Sequence, residues 1–535
     1  MKRLFIIGIL TVCISSLFAQ KTEEKHYDIF RQLDIYNALW RELDLNYVDS
    51  IDRNKISEIG INTMLQQLDP YTVFIPEEEE ENLKTMTTGM YGGIGATIQK
   101  HGDFIVVSEP RFGLAAQKNG VLAGDEILAI DGKSMKGKRV EEVSQNLRGV
   151  PGTEIKLTLR RYGSKKPIEK KFVREAIHIN SIDYYGILHD TVGYISLTDF
   201  TDRAYTDFKA SFIELQKSGI KRLIIDLRGN GGGLVSEAVN IASLFLPKGT
   251  TVVSMKGTNS ATDREYKTPF MPIAENMPIV VMIDERSASA SEILAGAFQD
   301  LDRATIVGQR SFGKGLVQTV RQLPHGSYLK VTNAKYYLPS GRCVQAIDYR
   351  DKNGGRASIV PDSLTNEFKT IKGRSVRDKS GITPDFIFEE EKGNYISYYL
   401  FVDNMIFDFA TQYYFTHKEI AKPDVFSLTD SEFGEFVEFL KSRNFSYTRD
   451  SEKMLEQLKT MVKAEGYEKQ TAEIFSQLQP LLKPDLERDI KEFRRDIQTI
   501  LESEIIKRYY FQKGYLEFML RYDKWIDKSL EETTK

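Results

Sequence analysis

At 535 residues the chain is longer than one hydrophobic core usually organises, so three or four domains of ordinary size are expected. Hydrophobic residues at 41% and charged residues at 28% fit a folded chain with a sizeable core and argue against dominant disorder. Lysine plus arginine (73) nearly cancels aspartate plus glutamate (76), so no overall field favours nucleic acid or an anionic membrane surface.

The chain opens with Lys2 and Arg3, an apolar run over 4–18, then Ala19 and Gln20, the layout of a secretory leader over 1–19. The run is short for a membrane span, though an uncleaved leader would tether the protein to the membrane. Bulky Val12 before Cys13 makes a poor lipoprotein signal. Export to the periplasm, or to the outer face of the inner membrane, is therefore expected. Without the leader Cys343 is the only thiol, so no intrachain disulfide can form.

Residues 20–84 read as a helical region, with Ile29, Leu33, Tyr36, Trp40 and Leu43 at helical spacing. Pro76 followed by five glutamates is a helix start, because carboxylates favour the positive end of the dipole. From 85 to 175 the pattern changes to short β-rich runs punctuated by glycine. In Tyr91-Gly92-Gly93-Ile94-Gly95, successive N–H groups can line one concavity and bind a carboxylate. A helical stretch over 140–147 puts Val140, Val143 and Leu147 on one face. Together with the Gly120-to-Gly132 segment, these features resemble a PDZ domain. The resemblance implies that a ligand's C-terminal strand adds to a sheet edge while the loop holds its carboxylate. Tyr91, Gly92, Gly93, Ile94, Gly95 and Val143 are its candidate peptide-binding residues. A β-rich spacer that binds nothing is the plainer alternative.

Between 176 and 390, strand-like runs at 192–197, 222–226, 279–284 and 304–308 alternate with helical patterns at 234–245 and 289–300, which predicts an α/β layer fold. From 391 to 535 the pattern is long, amphipathic and helical. Its aromatic stripe, Tyr395, Tyr398, Tyr399, Phe401, Phe407 and Phe409, reads as core packing or an oligomer contact rather than a cofactor site.

Three segments carry candidate chemistry. Ser287-Ala288-Ser289-Ala290-Ser291-Glu292 leads into a helix and satisfies the capping-box pattern, yet a hydroxyl there also meets N–H groups that stabilise developing negative charge. Gly313-Lys314-Gly315 isolates a lysine between glycines; held away from water, its amine can be neutral and accept a proton. Asp226-Leu227-Arg228-Gly229-Asn230 and the glycines after it offer backbone donors suited to an oxyanion or to a phosphate. The stretch 308–314 nearly matches a phosphate-binding loop, but Gly315 replaces the hydroxyl residue that would hold magnesium. Ser311-Phe312-Gly313-Lys314 fits a Ser-x-x-Lys pattern without its usual companions. No His-Glu-x-x-His or paired-cysteine pattern indicates a metal, and no cofactor is expected.

Taken with Leu68-Asp69-Pro70-Tyr71-Thr72 and Gly381-Ile382-Thr383-Pro384-Asp385, these ordered motifs resemble the C-terminal processing (tail-specific) proteases. That resemblance implies a multidomain α/β protein: a protease core similar to the ClpP and crotonase folds, an inserted PDZ domain, an N-terminal helical region and a helical C-terminal extension. It assigns Ser289 as nucleophile, Lys314 as general base and Gln318 as the group orienting the lysine. Gly232 or Gly233, with Ala290, would supply oxyanion donors. It implies a serine endopeptidase acting on proteins with free, apolar C-terminal tails, and leaves room for a homo-oligomer through the helical regions. A non-catalytic PDZ adaptor and a hydratase-like enzyme on the same core are the rival readings.

Overall fold

The computed structural model describes residues 28–534 except 190, 259, 261–262, 350–357 and 390–392; the leader expected over 1–19 lies outside the described residues. The chain divides into two compact units, Met1–Glu77 with Val320–Val331, and Glu78–Thr319 with Thr332–Lys535.

In the smaller unit, helix 28–46 precedes helix Arg53–Leu65, whose first turn is capped by Asp52 accepting the Lys55 N–H at 3.1 Å. The Leu68-to-Thr72 motif is a turn closed by Asp69, which accepts the N–H groups of Tyr71 and Thr72, both at 2.8 Å. Strand Val73–Ile75 then pairs antiparallel with 328–330. The helical spacing of the first helix is as the sequence predicts, but Ile29, Phe30 and Leu33 are more than half exposed, so periodicity there does not mark a buried face.

The larger unit begins with helix Glu80–Thr88, ended by Gly89 in the left-handed conformation. Next comes an antiparallel sheet in the order Ala96–His101, Phe104–Pro110, Glu126–Ile130, Glu154–Arg160, Ile168–Val173. Helix Val140–Leu147 closes over it, and Ile105, Val107, Ile127, Val143 and Leu157 form a small core. A ribbon of Met90–Gly93 with Glu175–His178 joins the chain where it enters and leaves this module.

The central sheet has six strands in order: β1 Ile182–Leu188, β2 Val192–Leu197, β3 Arg222–Asp226, β4 Ile279–Ile283, β5 Thr305–Gly308 and β6 Phe386–Ile387. All neighbours are parallel except β1 with β2. The strands read as continuous apolar runs because both faces are covered. On one face, α1 Ala204–Lys217, α2 Val235–Ala242 and α3 Ala290–Asp300 bury Phe208, Phe212, Ile241, Leu294 and Phe298. The other face, carrying Val192, Tyr194, Ile224, Val280, Met282 and Val307, is covered by the far end of the chain, where helix Lys524–Thr534 buries Ile526 and packs Trp525 and Leu530.

Between these points the extension forms its own helical core around Leu400, Phe409, Phe436, Leu440, Leu501, Ile505 and Phe518. Of the aromatic stripe, Phe407 and Phe409 are buried, whereas Tyr395, Tyr398 and Phe401 are exposed. Helix Arg494–Met519 is interrupted at Phe511, at φ 55° and ψ −163°. Among the described residues no helix is long and apolar enough to cross a membrane.

Candidate active site

The site is assembled from three turns at the C-terminal ends of parallel strands, where an open α/β sheet presents its loops. After β4, Ser289 caps α3 at φ 57° and ψ −112°, a left-handed backbone that a non-glycine residue holds only when its surroundings enforce it. Those surroundings are explicit. Ala288 N–H donates to Asn230 O at 3.0 Å, and Ser289 N–H donates to Glu292 Oε2 at 2.8 Å. The neighbouring hydroxyls are spent on structure: Ser287 Oγ donates to Leu227 O at 2.8 Å, and Ser291 Oγ to Asn230 O at 2.9 Å. The residues of the expected capping box are in place, with Glu292 accepting the Ser289 N–H, while the Ser289 hydroxyl makes no cap hydrogen bond of good geometry.

The glycine run after β3 lies directly against this turn. A Cβ on Gly232, at φ 105°, would stand 2.7 Å from Ser289 Cβ and 3.0 Å from Ala290 N, so only glycine lets the two backbones approach. Gly232 N–H is already donated to Asn230 Oδ1 at 2.8 Å. Gly233 forms a parallel bridge with Phe200 through Gly232 O and Leu234 N–H, which turns its own N–H away from Phe200. Among the described residues no acceptor faces the N–H of Gly233 or of Ala290, the first residue of α3. Asn230, fully buried, ties the run together by also donating to Leu197 O at 2.8 Å; sequence reasoning gave it no role.

Lys314 follows Gly313, at φ 84°, and its N–H donates to Glu292 Oε2 at 2.9 Å, the same oxygen that takes the Ser289 N–H. Glu292 Oε1 accepts Gly313 N–H at 2.7 Å and Ser311 Oγ at 2.6 Å. One carboxylate, 1% exposed, thus holds the serine turn and the lysine turn together. Burial pushes its carboxyl up while the donors pull it back. Four donors fill the acceptor capacity of an ionised carboxylate. Nearby, burial drives the Tyr336 phenol far up and the Cys343 thiol up, so both stay neutral. Gln318 lies on strand Leu316–Gln322 with its Nε2 donating to Thr332 Oγ1 at 3.1 Å.

At the base of the glycine run, Asp226 accepts Arg228 Nε at 3.0 Å and the Tyr194 hydroxyl at 2.7 Å. Arg228 also pairs with Asp523 and lies 5.4 Å from the centre of the Trp525 ring, both from the end of the chain. This link from the extension to the glycine run was invisible locally, because nearly three hundred residues separate its ends.

In the β-rich module a groove of about 270 Å³ is lined by Tyr91, Gly93, Ile94, Gly95, Leu147 and Arg148, among others. Among the described residues no acceptor faces the N–H of Ile94 or Gly95. Gly92 sits behind the groove, where a Cβ would strike Gly149 O, and Val143 points into the module core. Arg148 lies 5.1 Å from the Tyr91 ring centre and donates to Asn82 Oδ1 at 3.0 Å.

Comparison with known proteins agrees in outline. Residues 191–355 match peptidase family S41, 85–160 match the PDZ domain, and 396–532 match the C-terminal helical domain of probable PDZ-proteases. The carboxy-terminal-processing protease of Bartonella bacilliformis is 35% identical over 406 residues, covering 72% of this chain and 92% of its own. A probable CtpA-like serine protease of Staphylococcus aureus is 34% identical, covering 63% of this chain and 68% of its own. Among solved structures, the photosystem II D1 C-terminal processing protease aligns at 29% identity and a TM-score of 0.37, covering 65% of this chain and 86% of its own. The chain therefore belongs to the carboxy-terminal-processing proteases of peptidase family S41, serine peptidases that here carry a PDZ domain and a C-terminal helical domain.

Proposed function

We propose that the protein is an exported Ser-Lys endopeptidase that selects its substrates by their C-terminal tails. A free tail adds to the edge strand Ala96–His101 with its carboxylate on the Ile94 and Gly95 N–H groups and an apolar last side chain toward Leu147. An upstream peptide bond then reaches Ser289. Lys314 takes the hydroxyl proton as Oγ attacks the carbonyl carbon, and the N–H groups of Gly233 and Ala290 stabilise the oxyanion. Gln318 orients the lysine. The C–N bond breaks as the proton passes to the leaving amine, and water hydrolyses the acyl-enzyme.

The observation that carries this reading is the shared Glu292 oxygen, which fixes the turns of Ser289 and Lys314 relative to each other while the Ser289 hydroxyl stays uncommitted. Export rests on the leader at 1–19 and places the enzyme in the periplasm or at the outer face of the inner membrane. A retained leader would tether it there, and the exposed apolar residues of helix 28–46 suit a homo-oligomer.

The test is turnover of an unstructured substrate with an apolar free C-terminus. Ser289→Ala loses activity by a factor on the order of 10³ or more, whereas Ser287→Ala and Ser291→Ala retain much of it. Lys314→Arg folds, binds tails and is inactive at every pH, because a guanidinium cannot release its proton. Parent activity in Ser289→Ala would make the chain an adaptor or a different enzyme; parent activity in Lys314→Arg would move the base elsewhere.

A further inference from the structure

We propose that the C-terminal helical domain forms the second wall of the tail-binding site and selects an aromatic or long aliphatic side chain three residues before the last one. This rests on the tail-binding reading above. Strand Ala96–His101 is at the end of its sheet, hydrogen-bonded only to Phe104–Pro110 among the described strands. A tail whose carboxylate sits at the Ile94–Gly95 turn must run antiparallel from there toward His101.

Side chains on this strand alternate between two faces. Ile98 packs toward the module core, as does its cross-strand partner Val107. Gln99 and His101 point the other way, and that face is occupied by the extension: Gln99 Nε2 donates to Asn404 Oδ1 at 3.1 Å, and His101 Nε2 lies 2.8 Å from Asp408 Oδ1. Val106, opposite Gln99, is 1% exposed without belonging to the module core.

Between this face and the helices lies a cavity of about 1090 Å³, with Phe401, Ile406 and Phe407 in its wall. It shares Thr97 and Arg111 with the tail groove, so the two recesses adjoin along this strand. A bound tail alternates as the strand does. If its last side chain turns toward Leu147, the second before it does likewise, and the first and third before it turn toward Thr97 and Gln99. The third reaches the cavity mouth, where Phe401 is 65% exposed one turn before Asn404, the residue that holds Gln99. An apolar side chain there covers Phe401, which the described chain leaves 65% exposed.

The experiment uses the full chain as Ser289→Ala, to prevent turnover, and fluorescence anisotropy with labelled decapeptides. The peptides differ only in Phe or Ala three residues before the end, each as free acid and as amide. The expected result is at least fivefold tighter binding of the Phe acid over the Ala acid, falling below twofold when Phe401→Ala is added, with both acids binding more tightly than their amides throughout. Because Phe401 is exposed, its replacement leaves the melting temperature unchanged. Equal binding of the Phe and Ala acids, or a preference that survives Phe401→Ala, overturns the inference while leaving tail recognition intact. Equal binding of acids and amides removes tail recognition and this inference with it.

Discussion

Replacing Glu292 by glutamine keeps the volume of the clamp and removes one of its acceptors. Each carboxylate oxygen takes two donors: Ser311 Oγ and Gly313 N–H on Oε1, Ser289 and Lys314 N–H on Oε2. A carboxamide has one oxygen, so whichever way it turns, its NH₂ faces two donors across less than 3 Å. Leaving a buried donor unmade costs about 1–3 kcal/mol. Two such losses, partly relieved by rotation of Ser311, give about 2–4 kcal/mol of destabilisation. The orientation with NH₂ against Ser289 and Lys314 also pushes the two turns apart, and a displacement of about 1 Å near reacting atoms costs roughly 10²-fold in rate. Glu292→Gln should therefore lower kcat by about 10²-fold with KM and tail affinity near the parent values. Glu292→Asp, which keeps the charge on a shorter stem, should fall between. Ser311→Ala removes one donor to Glu292 and the acceptor of Ile382 N–H, and should cost about 1–2 kcal/mol with a smaller loss of rate. The measurements are urea unfolding, steady-state kinetics and labelling of Ser289 by a fluorophosphonate. Parent-level kcat in a destabilised Glu292→Gln would show that the clamp holds the fold without positioning the reacting groups.

Two further outcomes follow from the extension. Ile526→Ala, at a site 2% exposed against the central sheet, should cost about 2–4 kcal/mol in urea unfolding; a change under about 0.5 kcal/mol would mean the last helix is not bound there in solution. His101 has its pKa raised, first by its hydrogen bond to Asp408 and with help from Glu126, against the pull of burial. Its contribution is thus complete below the ordinary histidine value of about 6.5 and is lost as pH rises through the raised value. The stability difference between parent and His101→Gln should be larger at pH 5.5 than at pH 9, and a pH-independent difference would contradict the pairing with Asp408.

The sequence made the sheet legible because its parallel strands are buried on both faces and read as unbroken apolar runs, as at Ile279–Ile283. The serine and glycine turns were legible for a related reason: each needs unusual backbone, and small residues advertise it. Glu292 was not. Its local signature is that of a helix cap, and three of its four donors come from 311, 313 and 314, so the chemistry depends on where a distant loop arrives. Amphipathic periodicity has the same limit: it says that a face exists, not what covers it. Helix 28–46 leaves Ile29, Leu33 and Tyr36 exposed within the chain, and the extension's aromatic stripe divides between buried Phe409 and exposed Phe401. The break at Phe511 lies three residues before Gly514, where a Cβ would stand 2.1 Å from Tyr510 Cβ, but one glycine inside a helical pattern does not by itself announce a break.

The extension is therefore part of the enzyme's working structure. Its last helix supplies the apolar cover for the second face of the sheet, so without it Val192, Ile224, Val280, Met282 and Val307 would face water. The same segment brings Asp523 to Arg228. Arg228 is largely buried and shares Asp226 with the Tyr194 hydroxyl, so loss of Asp523 would leave a buried guanidinium with one carboxylate already in use. Arg228 leads straight into Gly229, whose N–H is held by Asp284 at 2.9 Å, and then into the donors beside Ser289. Further up the chain, the extension holds the outer face of strand Ala96–His101 through Asn404 and Asp408. One helical domain thus touches the strand that would take the substrate's end and the turn that would stabilise the oxyanion, so a displacement of that domain moves both.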